Sequence, residues 1–385
     1  MVIKGISENF HDAAVAVMND DKLLFASSSE RFSRKKNDRF LCEELRQIPA
    51  DRHIFYEDWR LKNQRRQTYG QREVEYFEDI ECVLHHESHM AAAYYTAPFV
   101  PDVTVVIDAI GEYDTASIWV NHEKVWSKQY PWSLGLFYSA ITKRVGLKPN
   151  EDEYITMGMA AFGKPCINME DVLDEYLHTG IPLKKWFWNK PEDIAASAQM
   201  QLEHELKQIF TEARKYGNKV AYAGGVALNC VANSKLAPMF DKFWIFPNPG
   251  DSGSALGCIL AKTKKRIDKK LNSVLINCSS AGYFNEIEIG KTNKKVLSAH
   301  NYFVKSTNKY DILRDCVTKL QSFKNILFVL DVIYQPEKTI LLTAADYLGI
   351  SNQNGLEINL LQAAIGFNII NEEEKLSNIL NIMRS

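Results

Sequence analysis

His85 and His89 stand four residues apart in Leu84-His85-His86-Glu87-Ser88-His89-Met90-Ala91-Ala92-Ala93, at the head of a run of small helix-forming residues. Side chains four apart share one face of a helix, so two imidazoles at this spacing can converge on one divalent metal. The same pair can equally be polar residues at a helix start, because short motifs carry a real false-positive rate. The cysteines offer no competing metal site: all seven, at 42, 82, 166, 230, 258, 278 and 316, lack a Cys-x-x-Cys pair. Odd in number and scattered, they read as reduced thiols rather than a disulfide framework.

The elements that would position these histidines follow from periodicity. Val2–Ile6, Ala13–Met18 and Leu23–Ala26 read as three strands, with Asn19-Asp20-Asp21 as turn chemistry before the third. The pattern returns in Val103–Ile107, Thr115–Val120 and Val125–Lys128, with a turn at Asn121-His122-Glu123-Lys124. Two such openings, each followed by helical sequence, predict a duplicated α/β fold. A helix is predicted over Ala195–Tyr216 from Met200, Leu202, Leu206, Ile209 and Phe210, with Gly217 as terminator. The strand Lys219–Ala223 then runs into Gly224-Gly225. From about residue 262 the basic run Lys262, Lys264, Lys265, Arg266, Lys269 and Lys270 marks a boundary, and its plainest reading is a solvated helix face. Beyond it, Ile326–Leu330 reads as a strand and Glu372–Met383 as a helix.

Composition sets the outer limits. A chain of 385 residues has room for two or three domains, and 46% hydrophobic with 24% charged residues is ordinary globular composition. A formal net charge of −2 provides no global field to recruit nucleic acid or an anionic membrane. The N-terminal residues lack the cationic and apolar regions of a signal peptide, and no apolar run reaches membrane-spanning length, so a soluble cytoplasmic protein is expected.

Two such halves facing across a cleft resemble the actin/hexokinase/Hsp70 (ASKHA) architecture, with its duplicated ribonuclease H-like halves around a nucleotide. There, turns between the first two strands of each half hold phosphates, and a glycine-rich turn in the second half packs on adenosine. Residues 5–12 (Gly-Ile-Ser-Glu-Asn-Phe-His-Asp) form the first such turn here, and Asp108-Ala109-Ile110-Gly111-Glu112 the second. Gly224-Gly225-Val226-Ala227-Leu228-Asn229 follows a strand, with Asn233 one turn further on. Glycine lets backbone approach a ligand, and a helix N-terminus favours anions.

On specific residues the sequence is similar to the O-carbamoyltransferase family that includes the nodulation-factor, tobramycin and cephamycin enzymes. His11-Asp12-Ala13-Ala14, Glu30-Arg31-Phe32-Ser33-Arg34-Lys35-Lys36-Asn37-Asp38 and the histidine segment resemble its N-terminal and metal motifs. Ser133–Ala140, Asp152-Glu153-Tyr154, Met157–Gly163, Asp193–Ala196 with Gln199, and Pro249–Gly257 resemble its later blocks. The likeness covers roughly 1–262, with halves of about 1–100 and 101–262, and leaves 263–385 as a small α/β region of unassigned fold.

The resemblance implies a transferase domain like the one that makes threonylcarbamoyl-adenosine in tRNA. It implies His85, His89 and Asp251 as ligands of a metal, usually iron; two imidazoles and a carboxylate suit Fe(II) and leave positions open for substrate oxygens. His86 points elsewhere on a helix, toward either a supporting or a substrate role. Full-length relatives make carbamoyl-adenylate from carbamoyl phosphate and ATP, then pass the carbamoyl group to a hydroxyl and release AMP. His11 is the candidate base or hydrogen-bond partner for the acceptor, since imidazole titrates near neutrality. Lys36 is the candidate cation near the carbamoyl or phosphate oxygens, with Arg34 and Lys35 as competitors. Asp108, Gly111 and Glu112 would face the phosphates or their metal, and Gly224, Gly225, Asn229 and Asn233 would hold the nucleoside.

Two departures qualify this. Ile155 and Thr156 stand where the family's central block has a lysine, so a phosphate contact is missing or comes from elsewhere. The Gly-Arg…Gly-Pro-Arg-Ala-Leu-Gly signature of the domain that makes carbamoyl-adenylate is not found between 263 and 385. Either a partner subunit supplies the adenylate, or the tail is a diverged equivalent, or the chain is a different transferase or a degraded copy. The expected acceptor is a hydroxyl on a small molecule or modified nucleoside; no membrane partner is expected, and a homodimer is compatible with the chain. Three alternatives stand beside this reading: a tRNA threonylcarbamoyl-type transferase subunit, a non-catalytic nucleotide-binding module, and O-carbamoylation of hydroxymethylated bases in DNA. The last would set Arg60, Arg65, Arg66 and the 262–270 lysines against backbone phosphate.

Overall fold

Small and β-branched residues fill the first strand pair, Val2–Ser7 (β1) and Ala14–Asn19 (β2), and both faces of β2 are buried in the computed structural model. The structure describes residues 1–73, 80–175 and 180–267, with short pieces of the tail at 273–277, 287–288, 295–296, 317–318, 321, 326–331 and 340–354. The chain divides into two units, Met1–Asp268 and Lys269–Ser385.

After β2 come Lys22–Ser28 (β3), the short helices Glu30–Ser33 (α1) and Glu43–Arg46 (α2), Arg52–Phe55 (β4), Trp59–Thr68 (α3), Glu81–Cys82 (β5) and His85–Thr96 (α4). Their sheet runs β3-β2-β1-β4-β5, with β1 antiparallel to β2 and parallel to β4. The second half supplies Val103–Ile107 (β6), Asp114–Val120 (β7), Glu123–Gln129 (β8), Leu134–Arg144 (α5), Glu153–Met159 (α6), Val172–Glu175 (α7) and Pro191–Arg214 (α8). Lys219–Ala223 (β9), Cys230–Leu236 (α9), Lys242–Ile245 (β10) and Asp251–Thr263 (α10) complete it. Its sheet runs β10-β9-β6-β7-β8, with β6 antiparallel to β7 and parallel to β9. Strand for strand the two sheets match: three antiparallel strands, then two parallel strands reached by crossovers. This is the duplicated ribonuclease H-like pair of the ASKHA fold class.

The helix expected from Ala195 begins four residues earlier, because Pro191 is preorganised for the first helical position and Glu192 and Asp193 favour the first turn. Leu202, Leu206 and Phe210 on α8 and Leu134 and Phe137 on α5 cover one face of the second sheet. Each such side chain contributes about 1.5–3 kcal/mol by leaving water.

Between the sheets lie α4 and α10. Ala91–Ala93 of α4 and Ala255, Ile259 and Leu260 of α10 share a core with Ile3, Ala14 and Ile54 of the first sheet and Ala221 and Ala223 of the second. α10 comes last in the second half, yet packs against β1 of the first. Its small residues allow a close crossing with α4: a Cβ on Gly257 would lie 2.0 Å from the Ser88 carbonyl oxygen. Only glycine fits there.

The basic run is partly structural. Lys262 ends on α10 and pairs with Glu81 at 3.4 Å, and Lys264 caps the helix in the left-handed region. The Arg266 guanidinium donates to the carbonyls of Tyr94 (3.0 Å), Phe99 (2.7 Å) and Ala97, satisfying open carbonyls at the end of α4. In the second unit, Ser273–Asn277, Ile326–Asp331 and Ser351–Asn354 form a parallel three-stranded sheet, accompanied by the helix Ile340–Tyr347. The helix expected over Glu372–Met383 lies outside the described residues. Among the described residues no helix is long and apolar enough to cross a membrane.

Candidate metal centre and nucleotide cleft

The start of α4 is pinned before its histidines can act. The backbone amide of His85, left open at a helix N-terminus, donates to the Glu112 carboxylate at 2.9 and 3.2 Å. The Asp58 amide donates to the same group at 2.7 Å, which ties α4 to the segment before α3. Burial raises the Glu112 pKa. Glu112 is therefore occupied by backbone amides and does not line the cleft, and neither does Gly111, whose amide donates to Asp114 in the turn beneath α4.

So held, α4 brings the Nε2 atoms of His85 and His89 to 3.2 Å from each other. Asp108, directly after β6, places Oδ2 at 2.8 Å from His85 Nε2 and 3.7 Å from His89 Nε2. Asp251, first in α10, places Oδ1 at 3.3 Å from His89 Nε2 and 3.5 Å from His85 Nε2. One donor atom from each of the four residues lies within 4.8 Å of all the others, and all four side chains are buried. Two nitrogens and two carboxylate oxygens form a donor set that fits Fe(II) or another first-row dication. Asp108 was expected to face the phosphates or their metal; its position at the end of β6 puts it in the donor ring.

The two carboxylates make this spot favourable to positive charge. Burial opposes a charge on His85, but the Asp251 and Asp108 carboxylates hold its pKa well above the usual imidazole range. His89 is raised in the same way, against burial, by Asp108 and Asp251. His86 goes the other way: burial and the neighbouring His85 push it well down, and its Nδ1 bonds the Ser117 hydroxyl at 2.7 Å, away from the ring. Behind His89, Nδ1 meets the Ser254 hydroxyl at 3.2 Å, so one turn of α10 offers both Asp251 and this support.

Above the ring lies a cavity of about 270 Å³, lined by His11, Asp12, Asp108, Tyr138, Gly225 and Asn229 among others. Small-molecule sites begin at roughly this size. His11 Nδ1 is 2.9 Å from Asp12 Oδ2, and its Nε2 is 3.8 Å from Asp251 Oδ2. Burial disfavours charge on His11, yet Asp12 and Asp251 outweigh it and raise its pKa to about 9. The Gly225 amide donates to Asp108 Oδ1 at 2.8 Å, made possible by the left-handed φ of 94° at Gly224. Asn229 caps α9 through the Ala232 amide and exchanges hydrogen bonds of 3.1 and 2.9 Å with Gln199, which in turn accepts from Tyr138.

Not every expected residue reaches the cavity wall. Gly224 and Asn233 stand behind it, Asn233 donating to the Ala227 carbonyl at 2.7 Å. Lys36 sits at the rim, where its ammonium donates to the Glu151 carbonyl at 3.1 Å and lies 5.3 Å over the Tyr154 ring. Beside it Asn37 donates to the Asn150 carbonyl at 2.8 Å, so this segment of the first half clasps the second. Arg65, considered for a phosphate-binding face, is only 2% exposed and cannot serve one. Ser254 stands inside the Pro249–Gly257 block but was given no role there, and Glu57 stands in no motif; the fold brings both beside the histidines.

A pair of matching ribonuclease H-like halves with a cavity between them defines the ASKHA fold class, and Asp108 of the donor ring lines that cavity. The chain belongs to the carbamoyltransferase N-terminus family, whose model matches residues 53–185 and 177–260. An uncharacterised protein of Synechocystis sp. is 29% identical over 348 residues, covering 67% of this chain and 56% of its own length. The nodulation protein NolO of Bradyrhizobium diazoefficiens is 28% identical over 209 residues, 46% of this chain and 37% of that protein. The chain thus spans little more than half of the Synechocystis relative it matches. The activator of 2-hydroxyisocaproyl-CoA dehydratase from Clostridium difficile, solved with bound ADPNP, superposes with a TM-score of 0.47 at 12% identity, covering 69% of this chain and 95% of that one.

Proposed function

We propose that this chain transfers a carbamoyl group from carbamoyl-adenylate to a hydroxyl of a small molecule or modified nucleoside, at a divalent metal held by His85, His89, Asp108 and Asp251. One observation carries the reading: in a member of a carbamoyltransferase family, two buried imidazoles and two buried carboxylates converge beside the interlobe cavity, which one of them, Asp108, lines. Bound there, a dication, Fe(II) by preference, would polarise the carbonyl and phosphate oxygens as a Lewis acid.

The chain's own residues supply the rest. Gly225, Asn229 and the Tyr138–Gln199 pair hold the nucleoside on one wall. Asp12 fixes the Nδ1 proton of His11, which turns Nε2 toward the floor of the cavity. With Asp251 engaged as a ligand, His11 Nε2 would be placed to accept the acceptor's hydroxyl proton. Lys36 clasps the rim over Tyr154, from which its ammonium can face the carbamoyl or phosphate oxygens.

The test incubates the pure protein with ATP, carbamoyl phosphate, Fe(II) and candidate hydroxyl acceptors, with and without candidate partner subunits, and follows AMP, pyrophosphate and carbamoylated product. Product formation that His85→Ala or metal chelation abolishes is expected. Turnover indifferent to both sinks the proposal. Pyrophosphate from the chain alone would place the activation step within it.

A further inference from the structure

The side of His85 that faces away from the donor ring is as specific as the side that faces it. Its Nδ1 is buried and, among the described residues, has no hydrogen-bond partner. The group facing it is Glu57, which follows β4, is 0% exposed, and brings Oε2 to 3.6 Å from that nitrogen. The same oxygen accepts the Lys62 ammonium at 2.5 Å. Lys62 is itself buried, and its Nζ lies 5.1 Å over the Phe10 ring. A buried ion pair of this kind adds little net stability over well-packed apolar residues of the same volume. Its place behind a histidine of the donor ring is explained better by what it does to that histidine.

For His85 to offer the Nε2 lone pair to a cation, its ring proton must sit on Nδ1. A carboxylate on the Nδ1 side favours that tautomer, fixes the ring's rotation and raises the basicity of Nε2. The Tyr56 ring, tilted at 5.3 Å from that of His85, packs on the same side chain. In the corresponding position His89 meets the neutral Ser254 hydroxyl, so among the described residues the two histidines are supported unequally.

We propose that Glu57 is a positioning residue that presents His85 Nε2 to the metal, with the buried Lys62 ammonium holding the Glu57 carboxylate in place. The inference rests on the metal reading above and goes beyond it by assigning the support of one ligand.

The experiment measures Zn(II) binding to the full chain by equilibrium dialysis, with metal quantification, in wild type, in Glu57→Ala, and in a variant carrying both Glu57→Gln and Lys62→Met. Glu57→Ala strands a buried ammonium and can simply unfold the protein; the double variant keeps shape and leaves no unpaired charge. Long-range ¹H–¹⁵N spectra of histidine-labelled, Zn(II)-loaded protein report which ring nitrogen of His85 carries the proton, a readout that a purely structural role would not move. Wild type should bind Zn(II) with His85 protonated at Nδ1, and the folded variants should bind roughly 10–100-fold more weakly with that tautomer no longer fixed. Wild-type affinity together with an unchanged tautomer in a folded variant overturns the role of Glu57 and leaves the metal site standing. Failure of the wild type to bind Zn(II) overturns both.

Discussion

Gly257→Ala tests how closely the donor ring depends on one helix crossing. The added Cβ would sit 2.0 Å from the Ser88 carbonyl oxygen, whereas ordinary contact begins at 3.4 Å, so α4 and α10 must part by more than about 1 Å. Neither contacting atom is the tip of a flexible side chain, so overpacking of this kind costs about 1–3 kcal/mol. For a domain of this size that lowers Tm by roughly 2–10 °C. Asp251 rides on α10, while His85 and His89 flank Ser88 on α4. A shift of about 1 Å is several times the roughly 0.2 Å tolerance of metal–ligand distances, so Fe(II) or Co(II) affinity should fall at least about tenfold. Gly250→Ala is the control: it immediately precedes Asp251, and a Cβ there meets nothing within 4 Å. Isothermal titration with Co(II) and a thermal melt of both variants supply the data. If Gly257→Ala kept wild-type affinity and a Tm within about 1 °C of it, the crossing would not set the ring and this reasoning would fail.

Three further predictions concern the ring and the base. Asp108→Asn keeps an oxygen for the Gly225 amide but removes the charge beside His85, so metal affinity should drop roughly 10–100-fold with little change in Tm; equal affinity would exclude Asp108 as a ligand. Metal affinity should climb with pH: burial alone would lower the His85 pKa, but Asp251 and Asp108 hold it well above the usual range, so an incoming cation must displace a proton that lower pH restores. Competition titrations between pH 6 and 8 that gave a flat profile would contradict this. His11→Asn should abolish transfer while leaving Co(II) affinity within about threefold, in contrast to His85→Ala, which should lose both; a variant that still transfers at the wild-type rate removes His11 from the mechanism.

Much of this scaffold is legible in the chain because its elements are strongly patterned. Val103–Ile107 and Lys219–Ala223 are strands with the bounds that periodicity predicts, since each is a short apolar run closed by turn residues. The start of α8 was less legible, because its first turn carries Pro191 and two acids rather than an apolar stripe. The histidine pair could be read from spacing, but the meeting of Asp251 with it came from family resemblance. Nothing local in Pro249–Gly257 announces that α10 returns to the first sheet; that follows from small residues at a helix crossing, which composition alone does not locate. Lys36 and Glu112 illustrate another limit: a charged residue in a motif names a chemistry, while its backbone partners decide where it points.

Asp108 has consequences beyond coordination. One of its oxygens faces the imidazoles and the other receives the Gly225 amide, at a turn that lines the cavity. Whatever tightens one oxygen biases the orientation of the other. By thermodynamic linkage, an adenylate that settles that turn and a cation that settles the ring should each strengthen the other's binding by the same factor. Cooperativity of this sort would let the cleft assemble only when both guests are present.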